Sequence, residues 1–141
     1  MRLSKRCEYG IKAAVGLCRG PNGGFVRSRE LASAEGLPAK FLESVLLSMK
    51  TANILESRVG ASGGYRLARS PGEIRVLDLI AALDDRAADN GFQSRAPSPT
   101  PDKPGQAALD RVVTRLSEAL HSAVGDMTLA DLSGAGDRRS R

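Results

Sequence analysis

The chain has 141 residues, 41% of them hydrophobic and 26% charged, with a formal net charge of +5 and a sequence pI of about 9.7. That is apolar material for one modest core, and no run of it approaches the length of a membrane helix. Two cysteines make no disulfide framework and the first residues lack an apolar signal core, so the expected compartment is a reducing cytoplasm.

The charge is unevenly placed. Residues 1–70 hold 12 Lys+Arg against 5 Asp+Glu, a net +7, whereas residues 71–141 hold 9 against 11, a net −2. A basic half is the electrostatic footprint of a nucleic-acid face, although basic surfaces also serve solubility alone.

In chain order, Ser4 is expected to cap a helix that runs to Arg19 and ends at Gly20-Pro21. Cys7, Ile11, Ala14, Val15 and Cys18 share its apolar side. Eleven residues bring the two thiols to the same face but about 16 Å apart, too far to bridge. Cys7 and Cys18 read first as small buried residues and second as candidate redox thiols. Arg2, Lys5 and Arg6 at the start of this helix suit phosphates. A turn at Asn22 to Gly24 and an extended Phe25-Val26 lead onward.

The stretch from Ser28 to Arg69 divides into a short helix, a tight turn, a longer helix and a hairpin, the order of a winged helix-turn-helix. Ser28 is the expected N-cap of the first helix, Glu30 favours its dipole and Gly36 stops it. Pro38 suits the first turn of the second helix. There Phe41, Leu42, Val45, Leu46 and Met49 recur at three- and four-residue intervals as one apolar stripe, leaving Ala39, Lys40, Glu43, Ser44 and Lys50 on the opposite face. Such a small, polar face suits a DNA major groove, and any amphipathic surface helix shares the pattern. Strand-like runs from Ile54 to Val59 and from Tyr65 to Ala68 flank G-A-S-G-G, whose glycines can take positive φ in a turn. Arg58, Arg66 and Arg69 surround a tip thin enough to reach a phosphate backbone or minor groove.

Glu73 to Val76 reads as a brief strand, and Val76 to Leu83 as an apolar helix packed under the wing. From Asp84 to Gly105 the composition turns polar and proline-rich, as in an extended loop. Helical periodicity returns near Gln106, with Leu109, Val112, Val113, Leu116, Leu120 and Val124 in one stripe that needs a partner surface. Thr128 is placed to cap a last short turn before a basic tail. The expected architecture is mainly α with a small β wing: a winged helix-turn-helix DNA-binding domain (1–85), a Pro-rich loop (86–105), a long helix with its terminal turn (106–132) and a disordered tail (133–141).

The opening M-R-L-S with Tyr9, the F-L-E of Phe41 to Glu43, the G-A-S-G-G-Y-R-L-A-R of Gly60 to Arg69 and the T-L-A-D-L of Thr128 to Leu132 together resemble the IscR/NsrR/CymR-type (Rrf-two) bacterial transcription regulators. The resemblance is close over about residues 1–85. It implies a homodimeric DNA-binding regulator, mostly a repressor in such proteins, paired through antiparallel helices that here carry the Leu109-to-Val124 stripe. Cluster-bearing members place three cysteines in the loop before that helix, and this loop has none. Iron–sulfur ligation needs converging thiolates. No cofactor and no metal are therefore expected, with Glu8 and His121 left as unconnected donors. Members commonly read V-R-G at the start of the wing, with that arginine in the minor groove; here the order is Arg58-Val59-Gly60. Pro38 stands where a serine is usual.

Within this reading Lys40, Glu43 and Ser44 are the candidates for base edges, and Arg2, Lys5, Lys50, Arg58 and the Ser62-Gly63 turn for phosphates. The partners expected are a palindromic double-stranded DNA operator, a second copy of the chain, and a small-molecule or protein effector. Two alternatives stay open: control through complex with a metabolic enzyme, as the resemblance to the CymR-like branch implies, and a winged-helix protein-interaction module without specific DNA binding. Catalysis has no constellation to support it, with no paired carboxylates, no Ser/His/Asp arrangement and a single histidine.

Overall fold

A computed structural model describes residues 3–20, 23–84 and 104–134. Arg2, the Pro21-Asn22 step, most of the 86–105 loop and nearly all of the 133–141 tail lie outside these residues. The elements are α1 (Lys5–Cys18), α2 (Ser28–Glu35), α3 (Ala39–Thr51), β1 (Leu55–Arg58), β2 (Gly64–Leu67), a 3-10 turn (Pro71–Glu73), α4 (Val76–Leu83), α5 (Pro104–Val124) and α6 (Leu129–Ser133). The fold is mainly α with one two-stranded antiparallel sheet.

Local chemistry explains most boundaries. Ser4 Oγ accepts from Cys7 N at 3.2 Å and caps α1. Gly36 ends α2 in the left-handed region at φ 65°, and Leu37 N–H closes the turn on Ala32 O at 2.8 Å. Two starts differ from expectation by one residue. Arg27, not Ser28, is the N-cap of α2, because Val26 is held extended by a bridge to Tyr65 and the helix opens directly after it. Pro38 is the N-cap of α3 rather than its first turn: its φ of −64° fits a helix, but its ψ of 121° is still extended.

The core lies between α1, α3 and α4. Leu42, Val45, Leu46 and Met49 of α3 are fully buried with Cys7, Ala13 and Ala14 of α1 and Leu79 and Leu83 of α4. Phe41 does not join them; it is 36% exposed and meets Tyr9 edge-on, ring centroids 5.3 Å apart. Helix α4 packs chiefly on α1 and α3 rather than under the wing: Leu79 and Leu83 lie in the core, and Leu83 sits against Gly10 of α1. In place of the expected strand at Glu73–Val76, Glu73 ends the 3-10 turn, which Pro71 opens and Glu73 caps by accepting from Ser70 N–H, Arg75 makes a single bridge to Thr128, and Val76 already begins α4. Through that bridge the chain after α5 returns to the domain. Val76 N–H donates to Met127 O and Leu129 N–H to Ile74 O, both at 3.0 Å, and Leu129 is fully buried. Thr128 and Asp131 cap α6 reciprocally.

The wing pairs Leu55 with Leu67, Glu56 with Arg66, Ser57 with Tyr65 and Arg58 with Gly64. On the other edge of β2, Val26 makes a single antiparallel bridge, exchanging two hydrogen bonds of 2.8 Å with Tyr65. This close approach requires Gly64, where φ is 141° and a Cβ would stand 2.3 Å from Val26 O. Gly64→Ala is therefore expected to cost about 2–3 kcal/mol in denaturant melts, against about 1 kcal/mol for Gly36→Ala, where φ is also positive but nothing lies within 4 Å. Equal losses at the two sites would contradict this account of the wing.

Candidate nucleic-acid interface

Burial of one side of α3 leaves Ala39, Lys40, Glu43, Ser44, Leu47 and Lys50 exposed on the other. Lys40 and Lys50 bracket the face, and Glu43 makes no ion pair among the described residues, so its carboxylate is free to accept. Ser44 is not idle. Its Oγ accepts from Arg6 at 3.0 Å, and the same guanidinium donates to Ser48 Oγ, so α1 is laced to the outer side of α3. The sequence places Arg6 only at a generally basic helix end, because a contact across 38 residues leaves no mark in a periodic pattern. Lys5 is exposed and meets Glu8 at 3.2 Å one turn on, a surface pair that yields readily to a phosphate.

At the wing, Arg58 of β1 and Arg66 of β2 both stack on Phe25, at 4.5 and 4.4 Å from the ring centroid. Arg66 is further tied to Glu56 and to Gly23 O, the latter at 3.0 Å, whereas Arg58 is exposed. A stacked guanidinium keeps its N–H edge for other acceptors, so Arg58 is steadied without being consumed. Arg27 donates to Ala61 O and ties the wing tip to the start of α2. A hollow of about 330 Å³ between them is lined by Arg27, Ser28, Arg29, Gly60, Gly63 and Gly64. Ser62 is exposed, but Gly63 is buried and its N–H is spent on Gly60 O at 3.0 Å. Gly63 thus shapes the turn and, contrary to expectation, offers no donor to a phosphate.

Helix α5 buries none of its residues. Leu109, Val112 and Leu116 are 51%, 56% and 54% exposed, Val113, Leu120 and Val124 are partly covered, and the helix meets the domain chiefly at α4.

A family model described as an iron-dependent transcriptional regulator, Rrf2, matches residues 3–135. The chain belongs to the Rrf2 family of transcriptional regulators. Among Rrf2 relatives, a helix-turn-helix regulator of Mycobacterium tuberculosis is 32% identical over 134 residues, covering 95% of this chain and 82% of that protein. Two Rrf2 structures share the fold. CymR, the global cysteine regulator of B. subtilis, superposes with a TM-score of 0.72 at 23% identity over 96% of this chain and 98% of its own. IscR of T. potens does so with 0.67 at 25% identity, over 100% and 92%. The winged-helix face described above therefore belongs to a DNA-binding regulator.

Iron in the Rrf2 description raises the question of ligands. The only two cysteines of the chain lie on α1, eleven residues apart, and His121 is exposed on α5 with Nδ1 3.0 Å from Ser117 O. Among the described residues no three His, Cys, Asp or Glu side chains converge. This donor set does not fit an iron–sulfur cluster. The thiols are also poorly activated. Burial pushes Cys7 up to about 11, helped by the carboxylates of Asp84 and Glu8. Burial raises Cys18 too, against the opposing pull of a Ser133 hydrogen bond and Arg19.

The Cys7 shift has a sign that can be measured. Its thiol is neutral in both states below pH 9, ionises near 9 in the unfolded chain and only near 11 in the fold. Stability tied to Cys7 is thus complete below pH 9 and lost as pH climbs through 11, by about 2–3 kcal/mol. Cys7→Ala should remove that part of the alkaline slope in melts at pH 8, 9.5 and 10.5; parallel slopes would contradict a buried, neutral thiol.

Proposed function

We propose that this Rrf2 regulator is a homodimeric, sequence-specific repressor that reads a palindromic operator with α3 and holds phosphates with the wing and the start of α1. The observation that carries the reading is the division of α3. One side is fully buried, and the other presents Lys40, Glu43 and Ser44 uncovered in the half of the chain that carries +7. Glu43 accepts from a cytosine amino group, and Ser44 serves as a permissive neighbour once Arg6 releases or shares it. Lys5, Lys50, Arg58 and Ser62 supply contacts to phosphate. Two such units on a dimer axis address half-sites about one helical turn apart, roughly 34 Å.

Dimerisation is supported by α5, where the described residues leave Leu109, Val112 and Leu116 of the apolar stripe more than half exposed. An antiparallel copy of the same helix covers them. With a donor set that does not fit a cluster, the regulator senses through another route, an effector molecule or a protein partner.

Two experiments divide the proposal. Binding to a panel of duplexes should show that Glu43→Ala flattens preference at one position per half-site, costing about 1–3 kcal/mol there. Arg58→Ala should weaken all duplexes alike and lower the salt slope by about one. An unchanged preference profile for Glu43→Ala would remove its reading role. For the dimer, Leu116→Glu is expected to give a folded monomer in sedimentation equilibrium, and an unaltered dimer mass would exclude α5 as the interface.

A further inference from the structure

Leu47 has no place in either role given to α3 so far. It is 57% exposed, in a helix whose other leucines, Leu42 and Leu46, are fully buried. At about 100° per residue Leu47 lies about 160° around the helix from Val45 and Met49, so it points away from the core. Lys40 is two turns before it and Glu43 and Ser44 one turn before it, all on its side, while Lys50 and Thr51 follow. The Thr51 hydroxyl donates back to Leu47 O at 3.0 Å, which leaves an apolar side chain beside a hydroxyl whose hydrogen is turned to the backbone. An exposed leucine is ordinary on a protein surface. This one stands in the middle of a face otherwise built from polar and charged groups, and that face belongs to the reading helix of a DNA-binding family.

The chemistry of the major groove contains one apolar feature, the C5-methyl group of thymine. We propose that Leu47 is a specificity-determining residue that reads a thymine methyl, one helical turn beyond the base step addressed by Glu43 and Ser44. This rests on the proposal that α3 enters the major groove. Leu47 covers the methyl, excludes water from both and donates no hydrogen bond, so it favours thymine over cytosine and tolerates 5-methylcytosine. Lys50, one turn further on, holds the backbone and supplies affinity that a single apolar contact lacks.

Deoxyuridine differs from thymidine at this edge only by the methyl, which makes the contact separable from every hydrogen bond. A duplex selected by the wild-type protein from a randomised library is resynthesised with each thymine replaced in turn by deoxyuridine, symmetrically in both half-sites. One position per half-site should weaken wild-type binding about fourfold per protomer, the worth of one buried methyl. Leu47→Ala, an exposed change to the best helix former, should bind the thymine and deoxyuridine duplexes equally at that position and keep the Glu43-dependent preference. If no thymine replacement affects the wild type, or if Leu47→Ala keeps the same sensitivity, Leu47 does not read a methyl. Failure of the library to yield any shared sequence is a different result: it removes specific reading by α3 altogether.

Discussion

Four side chains of α3, Leu42, Val45, Leu46 and Met49, are wholly withdrawn from water. At about 1.5–3 kcal/mol for each, their burial is worth about as much as the net stability of a whole small domain. The helix therefore has one rotation about its axis: turning it by a single residue, about 100°, would expose much of that stripe. This constraint decides what the protein shows to its surroundings. Lys40, Glu43, Ser44 and Leu47 face outward because nothing else is left to face outward. Gly10 contributes from the other side, since a Cβ there would stand 2.0 Å from Leu83 Cδ1 and push that side chain out of its place against α1.

The wing is the second fixed body, and it is fixed by polar contacts. Two backbone hydrogen bonds join Val26 to Tyr65, Arg27 reaches Ala61 O, and Arg58 and Arg66 share Phe25. All of these connect the wing to the segment that opens α2. The wing is therefore registered against the helix-turn-helix, as required if phosphates and bases are to be met together. The segment 127–134 closes the domain from the far side, so that α5 leaves at α4 and the chain comes back against α1.

Local signals made most of this fold legible. Ser4, Gly36 and Thr128 act at the helix ends where their chemistry places them, and the stripe of α3 is buried apart from Phe41. The glycines of the wing mark the hairpin, with strands within one or two residues of expectation. Several of the departures share a cause in contacts between residues far apart in sequence. Arg6 finds Ser44 and Ser48 across some forty positions, α4 turns to α1 and α3, and Val26 shifts the start of α2 through its pairing with Tyr65. Gly63 turned inward because the backbone of the hairpin closes on itself, a Cβ there meeting Arg58 O at 2.2 Å. Leu47 leaves no mark in the pattern, because an apolar residue off the stripe registers as noise in a periodicity; its exposure on the outer side of α3 is visible only in the fold.

Two copies of α3 are proposed to read DNA on a shared axis. The most direct measurement is selection by the purified protein from a randomised duplex library at two salt concentrations, with the bound fraction sequenced. The account predicts an enriched palindrome whose half-site centres are about one helical turn apart, bound far more tightly than the unselected pool at both salts. Retention without a shared motif, falling steeply as salt rises, would mean attraction to phosphate alone and would contradict it.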